Sequence, residues 1–184
     1  MAGFRLCEGV FAENTRGLES SFCVEGSNVN GLLSAELIGA CAEGFIRLLD
    51  EPVFFFLELP REGSEEYDVY YLDNCTAKVA LAIMKRYGVL LINDGLARFG
   101  FGSHKTDEEI YFTDFQEFCI YTKNVPGVKK LLTSLGAKQK DKPDSVWALL
   151  SDDNEGSLSS VEAEGETVFD IPIALSSEGM AKSE

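Results

Sequence analysis

The chain has 184 residues, with 31 Asp and Glu against 16 Lys and Arg, a net charge of −15. That charge argues against nonspecific nucleic-acid binding and against an anionic membrane surface, since both need clustered cations. Apolar residues make up 45%, with 13 Phe, enough for one packed core.

The N-terminus, Met1 to Gly17, has no basic stretch followed by an apolar one, so no secretory leader is read there. No run approaches a membrane span. The five cysteines, Cys7, Cys23, Cys41, Cys75 and Cys119, form no CxxC pair and fit reduced thiols in a cytoplasm. Each is read as a small buried hydrophobe in the first place.

The first thirty residues predict short strands or an arm. A helix is expected from Ser34 to Leu49, because Leu37, Ile38, Cys41, Phe45 and Leu48 recur at helical spacing. Asn30 or Ser34 would cap it. Val53–Leu59 and Tyr67–Leu72 predict an antiparallel hairpin around a charged loop. Asp73–Asn74 would cap a second helix, with Gly88 as its left-handed stop. Leu96–Ser103 reads as a strand with its glycines on one face, followed by strands at Glu109–Phe112 and Gln116–Thr122. Asn124-Val-Pro126 opens a third helix that Gly136 closes. Ser145–Leu150, carrying Trp147, and Thr167–Asp170 are expected as strands, and Pro172–Ala181 as a weak helix or tail. Strands in runs predict an α+β domain, with a mostly antiparallel sheet and about three helices on one face. The organisation expected is an arm or short strands over 1–30, a core over 31–150, and an acidic loop and tail over 151–184.

Charge is uneven along the chain. Residues 1–66 carry 12 acids and 4 bases, and residues 144–184 carry 10 acids and 1 base. Between them, residues 123–143 carry six lysines and one acid. These lysines are expected to pair with the acidic tail.

Candidate chemistry is sparse. His104 is the only histidine, which rules out sites that need two. A dyad of His104 with Cys75 or Cys119, in a small hydrolase or transferase, is the enzymatic alternative. Gly100–Thr106 fails as a phosphate loop because His104 stands where glycine is required. Asp152–Gly156 lacks the alternating acids of a calcium loop. No cofactor and no metal is expected. Tyr67, Asp68, Tyr70, Tyr111 and Asp114 form the expected binding set, since tyrosines among carboxylates suit Lys and Arg on a partner. The function expected is noncatalytic binding of a basic protein. Small acidic bacterial proteins that neutralise a toxin, the immunity type, share this profile. Self-association through a sheet edge stays open.

Overall fold

A computed structural model describes residues 3–183. The strands are β1 (Val10–Ala12), β2 (Ser21–Glu25), β3 (Asn28–Leu32), β4 (Val53–Pro60), β5 (Tyr67–Cys75), β6 (Arg98–Ser103), β7 (Glu108–Phe112), β8 (Glu117–Tyr121), β9 (Lys138–Gln139), β10 (Gly156–Leu158) and β11 (Ala181–Lys182). The helices are α1 (Ala35–Ile46), α2 (Ala77–Asn93), α3 (Val125–Ser134) and a single turn, α4 (Ile171–Ala174). The architecture is α+β with a mostly antiparallel sheet, and it has four helices where about three were expected.

Nine strands form one sheet in the order β11-β5-β4-β6-β7-β8-β3-β2-β9, and β1 pairs with β10 in a separate ribbon. All pairs are antiparallel except β2 with β9. Both sheet edges are two-residue strands, which cover only Tyr70 and Tyr71 of β5 and Ser21 and Phe22 of β2.

Register explains the layering. Leu72, Phe55, Phe101, Ile110, Ile120 and Val29 stand opposite one another across six strands. All six are buried in the core beneath the helices. Because side chains alternate between faces, the residues one position away point to the other side. There the row runs Tyr71, Phe56, Gly100, Tyr111, Cys119, Asn30. Phe54 and Phe56 on this outer face are buried yet stand outside the helix-side core.

Several expectations are corrected. Helix α2 runs through Gly88 to Asn93, because Leu90 and Leu91 continue its buried face. Its cap is Thr76, whose Oγ1 accepts from the Val79 amide, and not Asp73–Asn74. Ser145–Leu150 is no strand. The Ser145 hydroxyl accepts from the Ala148 amide and donates to Glu117, holding a turn with a 3-10 segment at Trp147–Leu149. Thr167–Asp170 is likewise a turn, closed by a capping box between the Thr167 and Asp170 side chains. The lysines do not turn to the acidic tail as a group. Lys138 and Lys140 pair with Glu19, and Lys140 also meets Asp144. Lys123 reaches Asp107. Among the described residues, only Asp144 and Glu166 of the C-terminal acidic block join ion pairs.

Residues 3–33 are integral to the fold. β2 and β3 lie within the main sheet, and the segment before β1 is pinned by Gln116. The Gln116 amide accepts from the Cys7 amide at 2.7 Å and donates to the carbonyls of Arg5 and Leu33 at 3.0 and 2.8 Å. A crevice of about 20 Å³ between Asp94, Phe99 and Gln116 has room for one water. Among the described residues, no helix is long and apolar enough to cross a membrane.

Candidate functional site

The outer face is built on two glycines. Gly100 and Gly102 lie on it in β6, and the rings of Phe56 and Phe54 fill the space that their side chains would take. The rings therefore lie low across the neighbouring strand and become a floor. Tyr71 packs 5.9 Å from Phe56 and 6.0 Å from Phe54 between ring centres, and Tyr111 is 5.4 Å from Phe56. His104, on the turn after β6, stacks on Phe54 at 4.3 Å. Tyr121 stands at the far side, 43% exposed.

Carboxylates rise among these rings. Glu58 accepts from the Tyr111 hydroxyl at 2.6 Å. Asp73 faces the His104 imidazole at 3.1 Å. Glu109 is half-buried, opposite Gly102 and Tyr121. Burial, and then the charge of Glu58, hold its carboxyl above the usual range. Burial also pushes the Tyr71 hydroxyl up, aided by Glu109, Glu58 and Asp73. Burial does the same at Tyr111, followed by its hydrogen bond to Glu58.

The face has one firmly held cation. Arg98 donates two hydrogen bonds to Asp114, each 2.8 Å, and lies 4.1 Å over the Tyr67 ring. Glu58 is 3.8 Å away. This geometry is bidentate and stacked, so the guanidinium is already spoken for. Its bond to Asp114 keeps it charged well above neutral pH.

The expected binding set divides between the two faces. Tyr67, Tyr111 and Asp114 lie on or beside the outer face and converge through Arg98 and Glu58. Asp68 and Tyr70 alternate to the helix side of β5. Asp68 is occupied by Arg61 and Lys182, and Tyr70 packs against the core. Tyr71 and Tyr121, with Asp73 and Glu109, are tyrosines and acids of the same sheet that the expected set leaves out, and sequence reasoning missed Phe54, Phe56 and Glu58. The Phe–Gly alternation of β6 beside the phenylalanine run of β4 was the available signal, since small residues on one strand accommodate large ones on its neighbour.

The alternative set does not assemble. The His104 imidazole meets Asp73 and the Phe54 ring, and among the described residues no hydrogen bond joins it to a cysteine. Cys75 donates weakly to the carbonyls of Leu72 and Asp73. Burial, then the charge of Asp73, raises its thiol, and burial followed by Glu109 raises that of Cys119. Cys7 and Cys41 are pushed up to about 12, chiefly by burial. A nucleophilic thiol needs a shift in the opposite direction. Among the described residues, no three of His, Cys, Asp and Glu converge in a metal-binding geometry.

Comparisons with protein-family models, curated proteins and solved structures give no match.

Proposed function

We propose that this chain is a noncatalytic binding domain whose outer sheet face docks a basic protein. The specific form we propose is a bacterial cytoplasmic protein that neutralises a basic toxin, in the manner of an immunity protein. The observation that carries this reading is the union of tyrosines and carboxylates on one face: Tyr71, Tyr111 and Tyr121 beside Glu58, Asp73 and Glu109. Tyrosine supplies contact area at small entropic cost, and it is enriched where interfaces concentrate their energy. Unneutralised carboxylates steer a cationic partner and reject an anionic one.

The test is capture of interacting proteins from the native cell with wild type and with a Tyr71→Ala/Tyr121→Ala double variant. The variant should lose a basic protein that wild type retains, with an affinity loss of at least about 30-fold for two interface tyrosines. Retention should also weaken as salt rises. Equal recovery by both proteins, or a retained partner that is acidic, overturns the reading.

A further inference from the structure

We infer that the shallow depression beside Glu109 is a receptor for one arginine side chain of the docked partner. This inference rests on the binding function proposed above and specifies its central contact. The depression measures about 350 Å³ and is lined by Phe54, Tyr71, His104, Glu109 and Tyr121.

Two features set it apart from the rest of the acidic surface. First, Glu109 carries neither a hydrogen bond nor an ion pair among the described residues, whereas Glu58, Asp68, Asp73 and Asp114 are all engaged. An arginine would restore by pairing what burial has cost this carboxylate. Second, aromatic rings stand around it. A planar guanidinium stacks on such faces while its N–H groups reach a carboxylate that lies in its own plane beside the ring. The protein already makes that arrangement once with its own Arg98, between Tyr67 and Asp114.

The experiment titrates the intact protein with acetyl-Gly-Arg-Gly-amide and with its citrulline counterpart, which keeps the shape and removes the charge. Proton NMR follows the ring signals of His104, identifiable because it is the only histidine. Saturable shifts are expected with the arginine peptide, and binding at least about tenfold weaker with citrulline. Glu109→Gln should weaken arginine binding by a similar factor while keeping its folded spectrum. Asp152→Asn, an exposed acid of the C-terminal block, should change nothing. Equal response to both peptides, no saturable shift with either, or undiminished binding by Glu109→Gln overturns the assignment. The two proposals fail separately. A basic protein lost on Tyr71→Ala/Tyr121→Ala but kept by Glu109→Gln leaves the face as a docking site and removes the arginine receptor.

Discussion

Gly100→Ala tests the construction of the outer face. A Cβ built on Gly100 falls well inside contact distance of the Ile110 carbonyl oxygen and of Phe56 Cε1, and 2.6 Å from Phe56 Cζ. The backbone contact cannot be relieved by a rotamer change, so β6 must shift against β7 and the Phe56 ring must lift from its trough. Lifting a ring that is 3% exposed forfeits about 1.5–3 kcal/mol of apolar burial. Overpacking strain adds about 1–3 kcal/mol. Replacing glycine by alanine inside a strand returns only about 0.5–1 kcal/mol of backbone entropy. The losses win, and a net destabilisation of about 2–5 kcal/mol is expected in urea unfolding. A double-mutant cycle isolates the ring. In a Phe56→Leu background the clash with Cε1 and Cζ is gone, so Gly100→Ala should cost at least about 1 kcal/mol less than in wild type. A cost below about 1 kcal/mol in wild type, or equal costs in both backgrounds, refutes the idea that this glycine exists to seat the ring.

The sheet face also sets a pH dependence. The folded-state pKa of Glu109 is raised by burial and then by Glu58, so the folded protein holds that proton more tightly than the unfolded chain. Stability therefore falls as pH rises from the unfolded value of about 4.3 through the folded one, and the full penalty stands above it. Glu109→Gln should raise the urea midpoint at pH 7 and leave it unchanged near pH 3.5, and a lowered midpoint at pH 7 would contradict this sign. Asp94 is 5% exposed and accepts four hydrogen bonds, from the amides of Leu96, Ala97 and Val161 and from the Ser160 hydroxyl. Asp94→Ala should cost about 3–5 kcal/mol and expose the 159–161 segment to protease first, and an unchanged cleavage pattern would show that the carboxylate does not hold it. Gln116→Ala should cost about 3–5 kcal/mol, since it strands the Cys7 amide and two carbonyls. Faster amide exchange at Cys7 is the accompanying signal, and protection equal to wild type would show that the strap holds without Gln116.

The parts of the fold legible in the sequence are those whose pattern is local. The apolar run Val53–Pro60 and the tyrosine-rich run Tyr67–Cys75 flank a charged loop, and Asn124 with Pro126 opens α3 through the Asn124 side chain bonded to the Gly127 amide. The failures occur where a distant partner overrides a local cue. Gly88 carries the chemistry of a helix stop, yet the buried pair Leu90 and Leu91 draws α2 onward. The β-branched and aromatic run around Val146 and Trp147 has strand propensity, yet Trp147 seats edge-on against Phe115 at 4.6 Å and Ser145 turns the backbone toward Glu117. The candidate site fails to show for the same reason. Tyr70 and Tyr71 are equivalent in composition, and only the register of β5 on β4 sends one to the helix side and the other to the outer face. Phe54 and Phe56 read as core residues because their burial depends on glycines more than forty positions away. A face assembled by strand order β5-β4-β6-β7-β8 thus distributes its aromatic floor and its carboxylates over elements whose individual sequences look like ordinary sheet, and only the pairing of Phe with Gly across two strands marks it as something other than a second core layer.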